Sequence, residues 1–135
     1  MSDIYLDVKK EENELIWDKI CNQLKRKVIA VDFDETLTER KPYPIQGDLR
    51  KDAKKYITKL AEKGYTLVLW SARIGDNYKI ALDLCKKWNL PILEDTDEFV
   101  HGDSGKLIAN FYIDDKAILG KLRWRKVYNY IVKHI

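Results

Sequence analysis

Val28-Ile29-Ala30-Val31-Asp32-Phe33-Asp34-Glu35-Thr36-Leu37-Thr38 decides how this chain is read. An apolar run without polar alternation is the pattern of a strand buried on both faces, as in a parallel sheet. The run ends in two carboxylates one residue apart. Residues i and i+2 of a strand face the same side, so Asp32 and Asp34 are expected to project together from its carboxyl end. Like charges that close repel unless a cation or a shared proton compensates them. Either compensation makes the position a candidate for chemistry.

The neighbouring segments supply the rest of a fold. Residues 11–26 read as a helix with Leu15, Ile16, Ile20 and Leu24 on one apolar stripe. Residues 39–48, with Pro42, Pro44 and Gly47, read as a loop, and Asp48 as the cap of the next helix. That helix runs to about Lys63 with Ala53, Tyr56, Ile57 and Leu60 inward, and Gly64 stops it. Residues 65–70 form a second buried strand ending at Ser71-Ala72-Arg73, followed by a helix over 77–89 with Tyr78, Ala81, Leu82, Cys85 and Trp88 at helical spacing. A short strand at 91–93, a polar loop at 94–105, a strand at 110–113 ending in Asp114-Asp115, and an amphipathic helix over 118–134 complete the chain. Strands alternating with helices imply an α/β, Rossmann-like open sheet, mainly parallel, with helices on both faces. The expected organisation is one domain: a helical extension over 1–26, a motif-bearing core over 28–115 and a basic amphipathic helix over 116–135.

Composition narrows the class. A chain of 135 residues is the size of one domain and buries enough surface to be stable without disulfides. Cys21 and Cys85, without CxxC or Cys/His spacing, read as buried thiols of a reducing compartment rather than zinc ligands. The first residues lack the pattern of a signal peptide, and no apolar run approaches the roughly 20 residues of a membrane span. The expectation is a cytoplasmic protein. A net charge of +3 is too small to argue for nucleic acid. Residues 116–135, however, hold Lys116, Lys121, Arg123, Arg125, Lys126 and Lys133 without an acid. This is a solvated basic face or a surface that attracts a phosphorylated polymer. Trp17, Trp70, Trp88 and Trp124 read as core or interface aromatics rather than a base-stacking platform.

Right-handed crossovers place the carboxyl ends of parallel strands on one rim, where open α/β sheets bind ligands. Asp32, Asp34, Ser71, Asp114 and Asp115 all fall there. Four carboxylates and a hydroxyl form an all-oxygen environment suited to Mg²⁺. One carboxylate can bind the metal and attack phosphorus, and a second can move protons. Ser71 can hydrogen-bond a phosphoryl oxygen, and Lys106, eight residues before Asp114, can neutralise charge developing on the phosphoryl group. Arg73 is either a phosphate grip or a solvated side chain. His101 reads as part of a polar turn or as a substrate contact.

The order of these residues resembles the haloacid dehalogenase-like superfamily. Asp32-Phe33-Asp34-Glu35-Thr36 is similar to its DxDxT signature. Ser71 after a strand, Lys106 and Asp114-Asp115 match its second, third and fourth motifs, in order, over residues 28–115. The resemblance implies Asp32 as a nucleophile that becomes an aspartyl phosphate, and Asp34 as general acid/base with its backbone carbonyl a metal ligand. It implies Asp32 and Asp114 as Mg²⁺ carboxylates, supported by Asp115, and Ser71 and Lys106 as phosphate ligands. An aspartate at the Asp34 position resembles the phosphatase branch. Glu35 departs from the pattern, which most often has glycine there, so a side chain restricts the loop.

Many members of that superfamily carry a cap domain. Here only about ten residues separate Thr38 from Leu49, and one helix, a short strand and a loop lie between Ser71 and Lys106, which leaves no room for a domain of ordinary size. The chain is most similar to small capless members with a Tyr-Pro pair in this loop, here Tyr43-Pro44. The implied activity is a Mg²⁺-dependent phosphomonoester hydrolase acting on a phosphorylated small molecule or polymer end. A response-regulator-like phosphoacceptor and a non-catalytic binding protein are the alternatives. The two terminal helices complete the core or form a homo-oligomer interface, and the substrate is open.

Overall fold

The computed structural model describes residues 2–41, 47–114 and 122–135, with side chains from Glu14 onward. The order of elements is α1 (Ser2–Lys25), β1 (Val28–Val31), α2 (Ala53–Glu62), β2 (Thr66–Leu69), α3 (Gly75–Lys87), β3 (Leu93–Glu94), β4 (Phe111–Ile113) and α4 (Trp124–His134). The four strands form one parallel sheet in the order β3-β2-β1-β4. The chain therefore has the expected single-domain, Rossmann-like α/β fold.

Period-two alternation divides the sheet residues between two cores. Ile29, Val31, Leu67 and Leu69 face Ile57 and Leu60 of α2, Leu82 and Cys85 of α3, and Val127 and Ile131 of α4 in one large cluster. Val28, Ala30 and Val68 face the other way and pack with Phe99 and Leu107. The first core holds α2, α3 and α4. The second is closed by the segment after β3, tied to the last turns of α1. Gln23 of α1 donates from Nε2 to the carbonyls of Val100 (3.1 Å) and Ile108 (2.8 Å) and accepts from the Val100 amide. Asn110 pairs with Val28 through both its side chain and its backbone.

Several expectations change in detail. The inward face of α2 is as read from the sequence, and Gly64 ends the helix at φ +94°, a conformation glycine adopts without a Cβ penalty. Asp48 does not cap it. Leu49 instead pairs with Thr38, the Asp48 carbonyl accepts from the Glu39 amide, and the helix starts four residues later behind Asp52. Helix α1 begins at Ser2 rather than near residue 11. Its expected stripe is not buried: Leu15 and Ile16 are exposed, with Trp17 beside them, and only Ile20 and Leu24 are partly covered. Cys21 is exposed and Cys85 buried, so only one thiol lies in the core. Arg123, just before α4, and Arg125, Lys126 and Lys133 on it are all exposed. Asp115, the Tyr43-Pro44 pair, Lys116 and Lys121 lie outside the described residues. Among the described residues no helix is long and apolar enough to cross a membrane.

Candidate active site

The carboxyl ends of β1, β2 and β4 meet because these three strands are neighbours. The Asp32 amide donates to the Ile113 carbonyl (3.0 Å) and the Trp70 amide to the Val31 carbonyl (2.9 Å), which extends the ladder just past the strand ends. The residues that follow, Asp32, Ser71 and Asp114, line one cleft of about 180 Å³ together with Trp70 and Ala72. Residues 39 and 82 positions from Asp32 are thus assembled by topology alone.

Asp32 is held by its own neighbour: the Phe33 amide donates to Oδ1 at 2.9 Å. The Ser71 hydroxyl oxygen accepts from the Arg73 amide at 3.1 Å, which leaves its O–H to donate elsewhere. The chain then turns sharply at Phe33, whose side chain is fully buried. Its carbonyl accepts from the amides of Thr36, Leu37 and Thr38. The strand ends at Val31, so its i, i+2 rule does not reach Asp34, and Asp34 does not line the cleft with Asp32.

Asp34 goes to Arg73. Nε donates to Oδ2 at 2.6 Å and Nη2 to Oδ1 at 2.7 Å, a bidentate pair. The arginine side chain is 2% exposed and the aspartate 34%. The guanidinium also lies over the Phe33 ring, 5.2 Å from its centroid. Arg73 is therefore not the solvated side chain of one expectation, and its Nε and Nη2 are engaged by Asp34. Its sequence place beside Ser71 indicated the site but not the partner.

Three residues that the motif reading did not single out hold the 33–38 turn. Arg50 donates from Nη2 to the Glu35 carbonyl and from Nε to the Thr38 carbonyl (3.1 Å). Trp124 of α4 donates from Nε1 to the Thr36 carbonyl at 3.1 Å in a buried position. Thr38 accepts from the Glu35 amide through its hydroxyl (3.3 Å). Glu35, where the resemblance implies glycine, has φ +62°. This left-handed conformation explains why a residue without a Cβ suits the position.

Lys106 is exposed, on the loop closed by the His101–Leu107 bridge. Its ammonium lies 5.3 Å from the Trp70 ring centroid and 4.2 Å from that of Tyr112. It neighbours the cleft through Trp70 rather than lining it. His101 binds Asp95, Nε2 to Oδ1 at 2.7 Å. Tyr78 anchors the same aspartate: its hydroxyl donates to the Leu69 carbonyl (2.8 Å) and accepts from the Asp95 amide (3.1 Å). Burial of the Tyr78 phenol pushes its pKa up, so it stays a neutral donor.

Among the described residues no three His, Cys, Asp or Glu side chains cluster as a metal cage. Asp32 and Asp114 nevertheless line the same cleft with a hydroxyl between strands. Two carboxylates with room for water are a donor set of the kind Mg²⁺ uses, since it retains much of its hydration. Asp115 lies outside the described residues.

The fold is similar to that of a solved structure of a conserved protein from Bacteroides thetaiotaomicron. The two are 29% identical over 80% of this chain and 91% of that one, with a TM-score of 0.67. The likeness supports the α/β architecture. No protein-family model matches the chain, and no curated protein does.

Proposed function

We propose that the chain is a Mg²⁺-dependent phosphomonoester hydrolase working through an aspartyl phosphate on Asp32. The observation that carries this reading is the convergence of Asp32, Asp114 and Ser71 on one cleft from three strand ends. Mg²⁺ held by Asp32 and Asp114 would offset the charge of the phosphoryl oxygens. Asp32 attacks phosphorus through a carboxylate oxygen, the ester P–O bond breaks, and the alcohol oxygen takes a proton from Asp34. Water then attacks phosphorus, Asp34 takes its proton, and inorganic phosphate leaves Asp32 free. Ser71 donates to a phosphoryl oxygen, and Lys106 adds positive charge beside the cleft. Asp115 is the further metal ligand implied by the resemblance.

Asp34 can keep its clamp in this cycle. Both of its oxygens accept from Arg73, and each keeps a second lone-pair site at which a proton can arrive or leave. Arg73 thus acts as a positioning residue that holds the acid/base carboxylate beside the cleft. The same pairing favours one second reading. If the clamp keeps Asp34 from reaching the attacking water, the chain stops at the phosphorylated aspartate and behaves as a phosphoacceptor. The chain's free thiols fit the cytoplasmic placement that belongs with either reading.

Phosphate release from para-nitrophenyl phosphate and a panel of phosphorylated metabolites in Mg²⁺ tests the proposal. Repeated turnover by the unaltered chain, lost in Asp32→Asn with the circular dichroism unchanged, is the expected result. One phosphate bound per chain without turnover supports the phosphoacceptor reading. Turnover that survives Asp32→Asn contradicts both.

A further inference from the structure

Beyond the cleft lies a second cavity of about 490 Å³, which shares Trp70 and Ser71 with it and continues past Arg73 and Ile74 to Tyr78 and Asp95. Its volume is that of a pocket for a small organic molecule, and larger than a phosphoryl group requires. The phosphoryl cleft and this cavity meet at a shared wall, so a substrate with its phosphorus at Asp32 has room for its alcohol part here.

The lining selects a chemistry. Trp70 is half-buried and offers an apolar aromatic wall. Ile74 at the rim is 80% exposed, an apolar side chain left facing solvent. Asp95 offers an acceptor that is already fixed: Tyr78 holds its backbone, His101 holds Oδ1, and Oδ2 accepts no hydrogen bond among the described residues. The cavity's guanidinium, Arg73, is matched by Asp34, and Lys106 is not among the described lining groups. A second phosphate would meet the Asp95 carboxylate, and the nearby cation, Lys106 over Trp70, stands beside the phosphoryl cleft and serves the first. A neutral group that donates hydrogen bonds meets an acceptor and an apolar wall.

Resting on the phosphatase reading, we propose that this cavity binds the leaving alcohol of the substrate, and that this alcohol is a neutral, polyhydroxylated ring of monosaccharide size. Asp95 accepts from its hydroxyls, and Trp70 packs against its carbon face. His101 and Tyr78 are positioning residues for Asp95.

The test compares three substrates of the full chain in Mg²⁺: para-nitrophenyl phosphate, a set of hexose and pentose phosphates, and a 5′-phosphorylated oligonucleotide. Wild type is expected to favour sugar phosphates over the oligonucleotide. Asp95→Ala lowers the ratio of sugar-phosphate to aryl-phosphate kcat/KM by about 10- to 100-fold, the factor lost with one hydrogen bond to a charged group. The loss falls mainly in KM. Asp95→Asn, which keeps an acceptor oxygen and the side-chain volume, recovers part of the ratio and covers the case in which the alanine variant does not fold. An unchanged ratio in both variants, or an oligonucleotide preferred by wild type, overturns this assignment while leaving the phosphatase reading in place. No turnover of any of the three substrates overturns both.

Discussion

Glu35 carries a cost that a single substitution can measure. Its φ of +62° is left-handed, where an L side chain meets the following carbonyl at roughly 1–2 kcal/mol. The turn nevertheless holds, because Arg50 and Trp124 bind the carbonyls of Glu35 and Thr36 and Thr38 binds the Glu35 amide. Glu35→Gly removes the steric cost. Against this, glycine loosens the unfolded chain by about 0.4–1 kcal/mol. The ion pair with Arg40, 3.5 Å long and 88% exposed on the arginine side, contributes a few tenths at most. The net change is a gain of about 0.5 kcal/mol over wild type. Glu35→Ala loses the ion pair and keeps the left-handed strain, so the glycine variant is expected to exceed the alanine variant by about 1 kcal/mol. Urea unfolding with a common m value reads this difference directly, and thermal unfolding reads it as about 3–5 °C in Tm for a domain of this size. A glycine variant less stable than the alanine variant would refute the reasoning, since it would mean that the backbone at Glu35 is not left-handed.

Three other outcomes follow from the same structure. Gly47→Ala places a Cβ 2.0 Å from the Glu39 carbonyl oxygen, so the paired 38–39 and 48–49 segments must separate; a loss of about 2 kcal/mol or more is expected in urea unfolding. Cys85 is buried and its thiol is pushed from 9.0 up to about 12 by desolvation, so the folded state keeps a proton that the unfolded state releases. Its contribution is complete below about pH 9 and is lost as pH rises toward 12; the fall in stability over that range should be shallower in Cys85→Ala, and a thiol reagent should label Cys21 promptly and Cys85 only on unfolding. Arg73→Lys replaces a bidentate clamp with a point charge; phosphate release is expected to fall about tenfold, with a stability loss of about 1–2 kcal/mol because the Asp34 side chain remains 34% exposed, and equal turnover would remove Arg73 from its positioning role.

The parts of the fold written in local periodicity were legible in the sequence. The inward face of α2, the stop at Gly64 and the alternation in β1 and β2 each depend on residues within one or two turns. Sequence patterning did not show that α2, α3 and α4 share one layer. For α2 and α3 that follows from the strand order, in which successive crossovers from β1 to β2 to β3 move in one direction, and α4 joins them by packing Val127 and Ile131 into the same core. Leu15, Ile16 and Trp17 satisfy a helical spacing yet are exposed, because among the described side chains α1 meets the rest of the fold through its last turns. The cleft residues Asp32, Ser71 and Asp114 were legible because each follows a strand. The partner of Arg73 was not: its place beside Ser71 does not say that the guanidinium turns to Asp34, 39 residues earlier in the chain. Arg50 and Trp124 escaped for a related reason. They act on backbone carbonyls, and a carbonyl leaves no mark in the sequence.

The central claim is that Asp32 becomes phosphorylated, and trapping that intermediate tests it most directly. The chain is mixed with an aryl phosphate in Mg²⁺, quenched, and reduced with borohydride, which converts an aspartyl phosphate to the corresponding alcohol; peptide mass spectrometry then locates the change. Modification at Asp32, absent from Asp32→Asn and prolonged in Asp34→Asn, is the predicted result. Modification at Asp34, or continued phosphate release from an unmodified Asp32, would contradict the account.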